Sequence, residues 1–123
     1  MSIPVEIWLR GDNHATSTSI TTVHTEPRAW TEDDVAAVLA AMLRAMDKAR
    51  NPGSVADRPV TLRGFSWIVN PYEEGGVVIA LEMSLGAAVA GPFDIGQAEL
   101  SRMITRVLAA ASASMPLSSG SVN

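Results

Sequence analysis

The sequence contains no cysteine, and this absence excludes several classes of function. Disulfides, thiolate catalysis and cysteine-ligated metal ions are ruled out, and such a chain has no need of an oxidising compartment. No apolar run approaches the ~20 residues that a helix needs to span a bilayer. The first residues also lack the basic segment followed by a hydrophobic one that marks a secretory signal. We therefore expect a soluble, cytoplasmic protein with no membrane partner.

Basic side chains are scarce as well. The formal net charge is −4 at pH 7, whereas binding to a phosphate backbone requires a cluster of Lys and Arg. Nucleic acid is therefore not an expected partner. Eight of the nine basic residues are arginine and alanine is abundant, which is the usage of a GC-rich genome. We expect a small accessory protein of a bacterium or a bacteriophage.

The remaining composition is that of an ordinary globular domain. The chain has 123 residues, 47% of them hydrophobic and 18% charged, which suits one hydrophobic core and leaves no room for a second domain. We assign residues 1–115 to a single α+β domain. Residues 116–123 have no hydrophobic periodicity and predict a disordered C-terminal tail.

Two segments have the apolar spacing of amphipathic helices. From Trp30 to Arg50, apolar residues recur at i, i+3, i+4, i+7, i+8 and i+11. Thr31 is placed as the N-cap of this helix, and Asp34 three residues later resembles the second half of a capping box. The segment from Leu100 to Ala111 repeats the spacing, with Asp94 placed as its N-cap. The sequence therefore predicts two helices.

Four strands are predicted from alternation and from turn residues. The first runs from Val5 to Arg10, and the turn residues of Gly11–Asn13 lead into a second from Ala15 to Thr25, whose Thr and Ser content suits a sheet edge. The third covers Val60–Val69, and the fourth, Val77–Gly86, has the pattern of a central strand. Together these elements predict two successive β-β-α units, which form a mainly antiparallel four-stranded sheet with both helices packed on one face.

Such a sheet has a second face that the helices do not cover. Alternation assigns these residues to the helix side: Val5, Ile7, Leu9, Leu62, Ile68, Ile79, Leu81 and Met83. Large aromatic side chains then fall on the other side, next to charged ones, which is typical of an interface. The candidate interface or ligand-binding residues are Trp8, Arg10, Arg63, Phe65, Trp67 and Glu82.

This face supports two hypotheses. The first is a non-enzymatic protein-protein interaction or assembly module that is homo-oligomeric, with itself and a further protein as the candidate partners. The second is a small-molecule-binding protein, with the ligand between the aromatic face and the Asn70–Gly76 loop and an anionic group held by Arg10 or Arg63. A structural alternative remains open, in which a bulge or a loop folds the aromatic rings into the monomer core.

A third and less favoured hypothesis is a small hydrolase that uses His14 or His24 with Asp12. Ten residues along a strand separate the two histidines by about 33 Å, which is too far for one metal ion. Asp12 and Asn13 beside Gly11 are also ordinary turn residues. We therefore assign no catalytic residue, no metal ligand and no cofactor, and favour a protein that is not an enzyme.

Overall fold

The computed structural model describes residues 2–21, 26–51, 53 and 61–113. The predicted C-terminal tail lies outside these residues. The elements follow one another as β1 (Ser2–Leu9), β2 (Thr16–Thr21), a 3-10 turn (Pro27–Ala29), α1 (Glu32–Arg50), β3 (Ser66–Pro71), β4 (Val77–Met83), β5 (Gly86–Phe93) and α2 (Gln97–Ala113). Within the described residues, neither helix is long and apolar enough to cross a membrane.

One antiparallel sheet joins the five strands of the described chain, in the order β2-β1-β5-β4-β3. The prediction of an α+β fold with an antiparallel sheet and two helices is confirmed, as is the edge position of β2. The prediction of four strands in two β-β-α units is wrong. The segment predicted as the fourth strand ends at Met83, and the chain then turns back to form β5, so the second half of the fold is β-β-β-α.

Strand β5 lies in the middle of the sheet although its sequence is poor in residues that favour strands. It contains Gly, Ala and Pro, which are depleted in strands, and this composition explains why alternation did not reveal it. The central position of β5 in the sheet requires small residues. Ala88 and Ala90 are completely buried, and a Cβ atom added at Gly86 would collide with the backbone of Trp8.

Both helices cover the same face of this sheet. Along β1, Ile3, Val5 and Ile7 are each 1% exposed, while the residues between them are exposed. The apolar stripes of the helices pack on this side, as their spacing predicts. The buried helical residues of the core are Val35, Val38, Leu39, Met42, Leu43, Met46, Leu100, Met103, Ile104 and Val107. The core is therefore one-sided.

The two helices begin differently. The predicted capping box of α1 is confirmed: the backbone N–H of Asp34 donates to Thr31 Oγ1 at 3.3 Å, and the backbone N–H of Thr31 donates to Asp34 Oδ2 at 2.8 Å. The predicted N-cap of α2 is wrong. Gly96 accepts the first helical hydrogen bond of α2 at 3.0 Å, and Asp94 instead forms an exposed ion pair with Arg28 at 3.1 Å.

A pair of neighbouring alanines on β5 tests the sidedness of the core. Ala88→Leu is expected to lower the free energy of unfolding by about 1–3 kcal/mol, because the larger side chain overpacks the space beneath the helices. Ala87→Leu, on the other face, is the matched control and is expected to change it by less than about 0.5 kcal/mol. Urea unfolding followed by circular dichroism measures both. Equal losses of stability would contradict a one-sided core.

Candidate functional site

The face of the sheet opposite the helices is the candidate site, and we call it the open face. Its centre is formed by Trp8, Ile68, Val78, Ala80, Ala87 and Val89, and its polar members include Glu6, Ser66, Asn70 and Glu82. Trp8 is 42% exposed and Ile68 is 52% exposed. No helix or strand of the described chain packs on this face, so these two large side chains contact water.

Strand pairing places the open-face residues in two neighbouring rows. Trp8 and Glu82 lie in one row on either side of Ala87, because each of them pairs with it. In the next row, Glu6 pairs with Val89, which pairs with Ala80, which pairs with Ile68. Three strand spacings separate β1 from β3, a distance of about 14 Å. The two exposed apolar side chains thus lie at opposite sides of a floor of small residues.

The predicted position of Trp67 is wrong. Trp67 pairs with Leu81, which is 1% exposed, and it packs against the core on the helix side. Its neighbour Ile68, which alternation assigned to the core, pairs with Ala80 on the open face. The alternation failed because β3 begins only at Ser66.

The segment before β3 explains this reversal. Residues 61–65 are not a strand, and Gly64 has a φ of +82°, which L side chains rarely adopt. The alternation between core-facing and outward-facing side chains, counted from Leu62, is therefore interrupted before Ile68. The structural alternative, in which a loop folds aromatic rings toward the core, is thus right for Trp67. It also applies in part to Phe65, which is half-buried against the core.

Arg10 is held at the end of β1. Its backbone N–H donates to Leu85 O at 2.9 Å, and its Nε donates to Ser84 O at 2.8 Å. These bonds fix the guanidinium beside the turn between β4 and β5. Arg63, by contrast, is exposed, and its backbone N–H donates to Thr61 O at 2.9 Å.

Three of the predicted site residues line one shallow groove at this end of the open face. The groove has a volume of about 460 Å³ and is lined by Arg10, Gly64, Phe65, Ser66, Glu82, Met83 and Ser84. A basic and an acidic side chain therefore face the same space. The Asn70–Gly76 loop does not contribute to it, because Asn70, where the loop begins, lies four residues along β3 from Ser66 in the groove, about 13 Å away.

The two described residues of the hydrolase hypothesis, Asp12 and His14, are not hydrogen-bonded to each other. Asp12 and His14 are exposed in the turn between β1 and β2, where His14 Nδ1 lies 3.3 Å from Asn13 Oδ1. His24 lies outside the described residues. In the part of the chain that the structure describes, no three His, Asp or Glu side chains come close enough together to hold a metal ion.

The open face and the groove at its end are thus the candidate functional features of the described residues. Comparisons with protein-family models, with curated proteins and with solved structures find no match to this chain.

Neighbouring residues of β3 test which side chains belong to the open face. Trp67→Ser is expected to lower the free energy of unfolding by about 2 kcal/mol, because it removes a large apolar side chain from the edge of the core. Ile68→Ser removes an exposed side chain and should cost less than about 1 kcal/mol. Urea titration followed by circular dichroism compares them. A greater loss for Ile68→Ser would reverse the assignment of the two faces.

Proposed function

We propose that this chain is a non-enzymatic assembly module that forms homo-oligomers by pairing its open face with that of a second copy. The observation that carries this proposal is the exposure of Trp8 and Ile68 on a sheet face whose centre is otherwise made of small apolar residues. Contact with a second copy removes this apolar area from water, at about 25 cal/mol for each Å². A large aromatic ring surrounded by small side chains is also typical of interfaces.

The arrangement of the open face suits a second copy of itself. Two sheets pack about 10 Å apart, with side chains from the facing surfaces interdigitating. A two-fold axis parallel to the strands, between β5 and β4, brings Trp8 of one copy over β3 of the other, close to the second copy's Ile68. The same axis brings Glu82 over the second copy's Ala87. Trp8 of each copy then lies next to Ile68 of the other, while the two Glu82 side chains lie one strand spacing, about 4.8 Å, apart across the axis.

The size of the open face sets the strength of this pairing. With this axis β1, β5, β4 and β3 of the two copies overlap; four strands at a spacing of about 4.8 Å, with six to eight residues each at about 3.3 Å per residue, give a projected area of about 440 Å². Stable protein complexes bury about 800 Å² on each partner. A single pair of open faces is therefore expected to associate weakly, and its mass should depend on concentration.

Light scattering coupled to size exclusion, over a concentration series, tests the proposal. The wild-type mass is expected to rise above the 13.0 kDa of one chain, and the Trp8→Ser/Ile68→Ser variant should show a lower mass than the wild type at every concentration where the wild type associates. Ala109→Ser, an exposed position on α2, is the control and should match the wild type. Circular dichroism verifies that each variant is folded. A wild type that stays monomeric throughout, or a double variant with the wild-type mass, would refute the pairing.

A second candidate function, small-molecule binding, is favoured by the groove at the end of the open face. Its volume of about 460 Å³ lies within the range of about 300–1,000 Å³ that is usual for ligand sites. Arg10 and Glu82 together suit a small zwitterion, with a carboxylate on the guanidinium and an amino group on the carboxylate. The bond from Arg10 Nε to Ser84 O keeps the guanidinium in place for this contact.

Thermal unfolding in the presence of free amino acids tests this second candidate. A ligand at about 100 times its dissociation constant should stabilise the wild type by about 2.7 kcal/mol, which is readily seen as a rise in Tm. Arg10→Gln should abolish that rise, whereas Arg63→Gln, at a residue that does not line the groove, should leave it unchanged. No rise in Tm with any of the twenty amino acids would remove this candidate.

A further inference from the structure

The two edges of the sheet differ in how they are protected. The edge strand β3 ends at Pro71, and Gln97 Nε2 of α2 donates to its Val69 O at 2.8 Å. The other edge strand, β2, has the sequence TSTSIT, without a charge, a proline or an interruption of its register with β1. Charges, prolines, bulges and covering side chains are the usual means of preventing an edge from pairing with another strand. None of them is present along the described length of β2.

Pro4 determines which backbone groups of β2 face outward. It pairs with Ser19 and has no N–H, so this is a non-hydrogen-bonded pair of the β1–β2 ladder. Hydrogen-bonded and non-hydrogen-bonded pairs alternate along an antiparallel ladder. Ser17, Ser19 and Thr21 therefore direct their N–H and C=O groups away from β1. All three residues are exposed.

We infer that β2 pairs in antiparallel orientation with β2 of a second copy. These outward-facing residues are self-complementary about Ser19: Ser19 lies opposite itself, and Ser17 lies opposite Thr21. In this register all three residues belong to hydrogen-bonded pairs, which gives six hydrogen bonds between the two chains. Each copy has a net charge of −4, but β2 contains no charged residue. Pairing two β2 strands therefore places no like charges of these strands next to each other.

The two-fold axis of this pairing is perpendicular to the sheet, so it joins the two sheets into one of ten strands. All four helices lie on one side, and the two open faces lie together on the other. Face-to-face pairing about the axis between β5 and β4 joins each open face to a separate further copy, so the two pairings together give assemblies larger than a dimer that do not close. This second step rests on the proposed function, whereas the edge pairing does not.

Ser19→Lys and Ser19→Pro test the edge pairing. The lysine variant places two positive charges next to each other on the two-fold axis. The proline variant removes an outward N–H that the monomer does not use, and proline is tolerated at such edge positions. Ser19→Thr, which keeps a neutral β-forming side chain, is the control. Light scattering gives the mass of each protein, circular dichroism verifies its fold, and the Trp8→Ser/Ile68→Ser variant is measured alongside.

The wild type is expected to exceed the mass of a dimer at high concentration. The two edge variants and the face variant should each reach no more than the mass of a dimer, the variant combining Ser19→Lys with the face changes should be a monomer, and Ser19→Thr should match the wild type. If Ser19→Lys and Ser19→Pro keep the wild-type mass, or if the face variant is a monomer, the edge pairing is overturned. If the face variant keeps the wild-type mass while Ser19→Lys is a monomer, the edge pairing stands and the proposed function fails.

Hydrogen exchange supplies a readout that does not depend on mass. In the wild type at associating concentrations, the amides of Ser17, Ser19 and Thr21 should exchange slowly, because each is bonded to the second copy. In Ser19→Lys the amides of Ser17 and Thr21 should exchange quickly, while the amide of Thr18, which faces β1, stays protected. Fast exchange of Ser17 and Thr21 in the associated wild type would contradict the inferred register.

Discussion

The placement of both helices on one face of the sheet is the constraint on which the rest of this structure depends. The apolar stripes of α1 and α2 both pack on the same face of the sheet. The middle strand of that face is β5, where Ala88 and Ala90 are completely buried. Larger side chains there would hold the helices away from β1 and β4, whose Val, Ile and Leu residues supply much of the core. Because the whole core is built on one side, the opposite face of the sheet receives no cover from the described chain.

Local patterns predicted the parts of the fold whose determinants are local. The apolar spacing of α1 and the Thr31–Asp34 capping box depend on residues within a few turns of each other, so the sequence contains them directly. The central strand β5 was missed because its small residues have weak β-propensity. Small residues are required there because β5 contacts helices and strands that are distant in sequence. A pattern read over a short stretch of the sequence does not include those contacts.

The candidate site was predictable in part for the same reason. Trp8 lies in a regular strand, and its alternation with Ile7 gave the correct face. Trp67 lies just after a break at Gly64, where the alternation restarts, so its face was assigned wrongly and Ile68 was missed. The groove gathers Arg10 with Phe65 and Glu82 only through the pairing of four strands. A single glycine close before a short apolar run, as at Gly64, is the sequence signal that the alternation of faces can be interrupted at that point.

The pairing of β5 between β1 and β4 also has a consequence for how the molecule is made. During synthesis β1, β2 and α1 leave the ribosome first, but the strand that fills the inner side of β1 follows roughly 80 residues later, which at 5–20 residues per second is about 4–16 s. Throughout that interval, the edge of β1 that later pairs with β5 has no partner strand. The nascent chain therefore passes through a stage in which β1, with Ile3, Val5 and Ile7 on its core side, still lacks one of its two neighbouring strands.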